Sequence, residues 1–401
     1  MKLIKGITII AIIIFVSLSK KSLLPMSKEI DNIEVLKLVG LDYNEKEKEN
    51  KATLSFMMEK EEGGIGSAEQ GKKEYQEVMT YKAISFTEAV RQMQFYSDKN
   101  IAGSHVKYFL IGEQTAKNNI DDALDIISKD QEVRMSGHIY LIKGQTSQAF
   151  LEDMVSSEYK VAEKLQSMEE KSTQKSIVNY LSFSDLLAKK LSKPSVYLIP
   201  ALEMSSSEKL TDVKGSEKEG EETLEKSFNF GGYGIMKNTK LVEYINKEEA
   251  IMYNMLTNKS EGGNIDIENS KGEVLSFGLN DISTSYKFEF DNDKLKKLKI
   301  TVKFRSNYEE VHTKEDIVYS KDIDKYEKLQ EIKIKKQVES LIKKSQTLGL
   351  DIVGVGQNLK LAHPYRHEKL KNSFEKDYKK LEVEVKVEAS IDRTYDMVKI
   401  N

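Results

Sequence analysis

The sequence contains no cysteine and no tryptophan, only four prolines and five histidines, and no long apolar run after residue 18. Without cysteine there can be no disulfide, thiolate nucleophile, cysteine-ligated zinc or thioether-linked lipid. An excess of either charge is also lacking. Sixty-two basic and 65 acidic residues are mixed along 401 positions and leave a net charge of −3, so there is no electrostatic footprint for nucleic acid and none is expected as a partner. The usual catalytic and metal patterns are absent as well. His363 and His367 are spaced four apart, but Pro364 lies between them and no acidic residue takes the zincin position, so a solvated loop is expected there. His105 reads as a buried, hydrogen-bonded residue beside a strand, and His138 and His312 have no visible partners. Gly231, Gly232 and Gly234, like Gly354 and Gly356, lack the spacing and the following helix of a phosphate loop and read as turns or bulges. No catalytic residue, cofactor or metal is therefore expected, and the chain does not read as an enzyme.

What is present begins at the N-terminus. Residues 7–18 are apolar apart from Thr8 and Ser17, with Lys2 and Lys5 before them and Lys20 and Lys21 after. Twelve residues of helix span about 18 Å, short of a hydrocarbon core of roughly 30 Å, although flanking residues extend the reach. Residues 1–24 therefore read as a membrane anchor or a signal segment, with Ser17 and Ser19 offering a poor cleavage site. A charged, water-soluble body attached to one such segment is expected to lie outside the cytoplasm, on a lipid bilayer.

Within the body, residues 35–43 and 53–58 alternate as two strands joined by a charged turn, and residues 77–84 form a third. Ser85 and Glu88 frame a capping box that opens a helix to about Ser97. Strands at 107–111 and 137–142 alternate with a helix over 114–128 that breaks near Asn118 and Asn119. Residues 146–190 are helical, and 195–202 read as an edge strand because of Pro200. Residues 205–227 carry no aromatic side chain, many charges and two glycines, and read as a flexible linker. Beyond it come a glycine-interrupted strand (228–236), a helix (248–256), a meander of three strands at 274–279, 284–290 and 298–307, and a long helix over 322–348. That helix has Ile323, Tyr326, Leu329, Ile332, Val338, Leu341 and Ile342 on its apolar stripe and Gly349 as its stop; a final strand covers 381–391.

The expected fold class is α+β, with several mixed domains, each a sheet flanked by helices, behind the N-terminal membrane segment. The divisions fall at 25–204, with a further subdivision near 144, then the linker at 205–227, then 228–401.

Several short pieces, read in order, resemble the Ger(x)C family, the C subunit of bacterial spore germinant receptors. They are Glu29-Ile30-Asp31 and Gly40-Leu41-Asp42; then Ser104-His105-Val106-Lys107 leading to Ile111-Gly112-Glu113 and Ala116; then Lys129 to Arg134, where the family has Arg-Asp-x-Glu-x-Arg. Later come Gly234, Lys240-Leu241-Val242 and Glu248-Glu249, and Asp351 to Gly356, similar to the family's Asp-Ile-x-Gly-x-Gly. The family's lipobox cysteine is missing: Leu24 stands in its place, with Pro25 where tryptophan would follow. Attachment would then fall to residues 7–18 as an uncleaved helix. The resemblance implies three mixed α/β domains and a non-catalytic receptor subunit on the outer face of the spore's inner membrane. Its implied partners are two integral membrane subunits, A and B, and its surface of contact with them is unknown. The rival reading is an exported, membrane-tethered solute-binding module with a pocket between its two halves.

Overall fold

The computed structural model describes residues 33–43, 51–62, 73–131, 133–155, 157, 160–175, 178–191, 196–207, 225–268, 272, 274–311 and 323–392. The membrane segment, most of the 205–227 stretch and His312 lie outside these residues. Among the described residues, no helix is long and apolar enough to cross a membrane.

The first half runs β1 (Ile33–Val35), β2 (Leu38–Tyr43), β3 (Ala52–Glu62), β4 (Lys73–Ala83), α1 (Phe86–Gln94), β5 (Asn100–Ala102), β6 (Tyr108–Gly112), α2 (Glu113–Asn118), α3 (Ile120–Ser128) and β7 (His138–Ile142). It continues with α4 (Ser147–Met154), α5 (Val161–Lys175), α6 (Phe183–Leu191) and β8 (Val196–Ser207). The second half adds β9 (Glu225–Lys237), β10 (Lys240–Ile245), α7 (Lys247–Leu256), β11 (Gly263–Glu268), β12 (Val274–Asp291) and β13 (Lys294–Val311). It ends with α8 (Ile323–Leu348), α9 (Val355–Ala362), α10 (Pro364–Leu370), α11 (Phe374–Tyr378) and β14 (Glu382–Ile391).

The strands form three sheets: the parallel pair β1-β5, an eight-stranded sheet in the order β10-β9-β8-β7-β6-β2-β3-β4, and a four-stranded sheet in the order β11-β12-β13-β14. In the large sheet β2, β6, β7 and β8 run parallel, and the strands on either side are antiparallel. Every residue of β6 is buried, as a strand covered on both faces requires. Val39, Leu41, Phe109, Ile111, Ile139 and Leu141 face a core built with α1, α2, α3 and α6. Their neighbours Leu38, Tyr108, Leu110, Tyr140 and Ile142 face a second core. This one contains Phe150 and Leu165 from α4 and α5, and it continues into α7, α8 and the four-stranded sheet. The expected α+β class, with sheets flanked by helices, is observed.

The two ends of the expected linker belong to strands. Ser205, Ser206 and Ser207 of β8 pair with Ser227, Lys226 and Glu225 of β9, because backbone pairing in an antiparallel ladder does not need apolar side chains. The large sheet thus takes strands from both sides of the expected boundary. Gly144 lies between β7 and β8, which are neighbours in that sheet. β8 is also interior, not an edge: it pairs with β7 only through Ala201 and Leu202, just past Pro200, whose missing N–H is accommodated by the late start of that ladder.

Three further expectations are corrected. His105 is exposed at the end of a single turn, where Gly103 beneath the Phe86 ring takes the buried position. His367 lies on α10 and His363 is the single cap residue between α9 and α10, so the expected loop is reduced to one position, with Pro364 in the first turn of α10, where its lack of an N–H costs nothing. The buried stripe of α8 runs through Tyr326, Gln330, Ile334, Val338, Leu341, Ile342 and Ser345; Ile332 falls on the opposite face and is exposed.

Candidate functional site

The parallel strands β2, β6, β7 and β8 end at one level. Leu41 pairs with Ile111, Gly112 with Ile142, and Ile142 with Leu202, so Asp42, Glu113, Lys143 and Glu203 emerge side by side along one rim of the sheet. Carboxyl ends of parallel strands are where α/β sheets commonly place polar function.

Asp42 caps α4. Its carboxylate accepts hydrogen bonds from the Ser147 N–H (3.0 Å), the Ser147 hydroxyl (2.7 Å) and the Gln148 N–H (2.9 Å). Burial nonetheless pushes its pKa up, against the pull of those donors. Gly112 must be glycine at this level, because a Cβ there would lie 1.9 Å from Asp42 Oδ1. Glu113, at the start of α2, accepts from the Gly144 N–H (2.6 Å) and from the Tyr244 hydroxyl (3.1 Å) and pairs with Lys117 at 2.5 Å. Burial raises the Glu113 pKa, but the Lys117, Gly144 and Tyr244 donors outweigh it and the net shift is downward. Burial first, and Glu113 second, push the Tyr244 hydroxyl well up, so it acts only as a neutral donor.

The rim then joins the second half. Lys143 and Lys247 clamp Glu203 from two sides, at 3.0 and 3.2 Å, and Lys143 lies 5.6 Å from the centre of the Tyr244 ring. Asn246 and Glu249 form a reciprocal capping box that opens α7. The same Glu249 carboxylate takes Lys344 of α8 at 3.0 Å, and Lys344 also donates to the Tyr244 carbonyl at 2.9 Å. Gly232 of β9, at φ +97°, lies where a Cβ would come within 2.0 Å of the Ile245 carbonyl oxygen, so β9 packs tightly against the junction of β10 and α7. A bulge at Ala201–Leu202 opposite Gly232 and Phe230 matches the bulge reading of these glycines.

A second polar cluster lies inside, beneath α5. Glu169, 6% exposed, meets His138 Nδ1 at 2.5 Å and Tyr108 OH at 3.4 Å, accepts from Tyr140 OH, and has the Lys107 ammonium at 3.8 Å. An ionised carboxylate only accepts, so His138 carries its proton on Nδ1, and its ring stacks on Tyr180 at 4.4 Å. Burial, followed by the Glu169 charge, raises the Tyr108 and Tyr140 hydroxyls far above the usual phenol range.

The short sequence pieces were thus distributed across several places. Asp42, Gly112, Glu113 and Glu249 converge on the rim, and Gly234 pairs with Tyr244 beside it. Asp351 lies elsewhere. Its carboxylate accepts the Val355 and Gly356 N–H groups at 2.8 and 2.7 Å, so the helix start expected to be absent at Gly354 exists and is occupied by the chain's own aspartate. Asp130 accepts from the Thr87 hydroxyl on the opposite face. Sequence reasoning missed Lys143, Glu203, Tyr244, Lys344 and Glu169, none of which belongs to a local pattern; the apolar β7 run ending in Lys143-Gly144 was the one available signal.

Two family models match this chain. The spore germination protein N-terminal domain covers residues 26–204, and the spore germination B3/GerAC-like C-terminal domain covers 231–395. The chain belongs to this spore germination protein family. A crystal structure of the GerBC protein superposes with a TM-score of 0.55 at 16% identity, covering 88% of this chain and 96% of that one, which establishes a shared fold. A comparison with curated proteins returns no match. In this spore germination protein, the interval between the two matches, residues 205–230, takes in the end of β8 and the start of β9, and the rim network links residues from both matched regions.

Proposed function

We propose that this spore germination protein is the non-catalytic C-type subunit of a nutrient germinant receptor. It is held by residues 7–18 on the outer face of the inner spore membrane, beside the integral A and B subunits. The observation that carries this reading is the ordered pair of spore-germination matches spanning residues 26–395. The rim supports it physically. Its carboxylates and ammonium groups are matched to one another at hydrogen-bonding distance and tie α2, β7, β8, α7 and α8 together, which suits a rigid scaffold that transmits force through contacts. The anchor reading rests on the N-terminal apolar run and on the missing cysteine.

The shallow cleft of about 270 Å³ beside Ile84, Thr87, Ile126 and Lys129 is lined by the first half alone, so the rival reading of a pocket between the halves draws nothing from it. The test is affinity purification of the tagged full chain from detergent-solubilised inner spore membranes. Stoichiometric recovery of two multi-spanning proteins is expected; recovery of the chain alone from a membrane fraction that still contains those proteins would refute the assignment.

A further inference from the structure

Phe95 and Tyr96 follow the last turn of α1 and are 82% and 77% exposed, two consecutive aromatic side chains in water. Single exposed apolar residues are ordinary; an adjacent pair on a rigid tip is not. The Phe95 N–H donates to the Gln92 carbonyl and the Tyr96 N–H to that of Met93, whose own side chain is fully buried. Gln94 ties the tip back on both sides, donating to the Lys99 carbonyl at 2.7 Å and accepting from the Ile101 N–H at 2.8 Å. The Ser97 hydroxyl reaches the Glu34 carboxylate at 3.2 Å, and β5 pairs residue for residue with β1. The aromatic tip is therefore fastened to residues 33–35, where the described chain begins.

Only residues 19–32 separate that point from the apolar run at 7–18, at most about 50 Å of extended chain. With the run in a bilayer, the tip is confined close to the lipid surface, and tethering of this kind makes a weak second contact effective. Its chemistry suits that surface: a phenylalanine and a tyrosine, amphipathic at the headgroup level, flanked by the exposed cations Arg91 and Lys99, with Asp98 the one opposing charge between them.

We infer that Phe95 and Tyr96 insert into the headgroup region of the bilayer that holds the N-terminal segment and fix the orientation of the body on the membrane. This rests on the anchored reading above.

The absence of tryptophan supplies the test. The full chain carrying Tyr96→Trp, reconstituted in phosphatidylglycerol–phosphatidylethanolamine vesicles with or without brominated acyl chains, has a single tryptophan, which is excited selectively over the tyrosines at the red edge of its absorption. A control carries Tyr365→Trp, at a position 76% exposed on α10. The Tyr96→Trp protein is expected to show a blue-shifted emission that brominated lipid quenches, and the Tyr365→Trp protein neither. Co-flotation with the vesicles is measured on the same samples. Flotation without quenching overturns the contact and leaves the anchor standing. A blue shift without quenching also overturns it, because the tip is then covered by protein, and equal quenching of both variants shows no preferred face. Failure to float overturns the anchor and the inference with it.

Discussion

At residue scale, the positions that matter most are those where a single added atom or a single proton would break a junction. Gly232 is one. Alanine there would need a left-handed backbone and would overlap the Ile245 carbonyl, so Gly232→Ala is expected to lower unfolding stability by upwards of roughly 3 kcal/mol in denaturant titration. Asp351 is a proton-linked case. Burial pushes its pKa up to about 6 from 3.8, against the pull of the Gly356 and Val355 N–H groups. A carboxyl whose folded value is raised binds its proton more tightly when folded. Its stabilising contribution is therefore fullest below pH 4 and falls as pH climbs toward 6. Thermal unfolding from pH 4 to 7 should show this fall, and Asp351→Asn should remove it; an identical profile in the variant would show that other groups control this range. Both residues were visible in the sequence as parts of short glycine motifs. Their roles were not, because a helix cap and a close backbone approach depend on which strand arrives opposite.

At the scale of elements, the local signals held where periodicity and capping agreed. Ser85 accepts from the Glu88 N–H at 3.1 Å, the helix break at Asn118–Asn119 separates α2 from α3, and Gly349 stops α8 at φ +67°. The helices α9 to α11 went unread because their apolar residues are too few for a helical period to stand out. The stretches 274–279 and 284–290 read as two strands and are one, β12, with a register shift between Asn280 and Ser283 at the positive-φ residue Asp281. On α8 the apolar pattern misled, because the buried face includes Gln330. This side chain is fully buried, and among the described residues neither its amide nitrogen nor its carbonyl oxygen meets a partner. A buried amide without partners costs roughly 1–3 kcal/mol, so Gln330→Met, similar in volume, is expected to raise the unfolding midpoint. A lowered midpoint would mean that the amide is satisfied in solution.

At the scale of the whole molecule, composition read the 205–227 stretch as a divider, whereas the strands on either side of it are partners. From Val196↔Lys237 to Ser207↔Glu225, β8 and β9 form one ladder, and Lys247 with Glu203 and Tyr244 with Glu113 tie the halves again at the rim. Long-range pairing of this kind leaves no local trace in sequence. A specific protease site inserted after Lys214 should therefore yield two fragments that co-elute in size exclusion and separate only on denaturation. Separate elution without denaturant would mean that the shared sheet does not hold the halves together.

The central claim is that this chain works as a required part of a nutrient receptor. It is tested most directly by deleting its gene and following nutrient-triggered germination of purified spores by loss of optical density, with the gene restored at a second locus as control. The account predicts that spores form in normal yield, fail to respond to the nutrients that trigger their parent, and recover the response on restoration. Unchanged response to every nutrient that germinates the parent would contradict it.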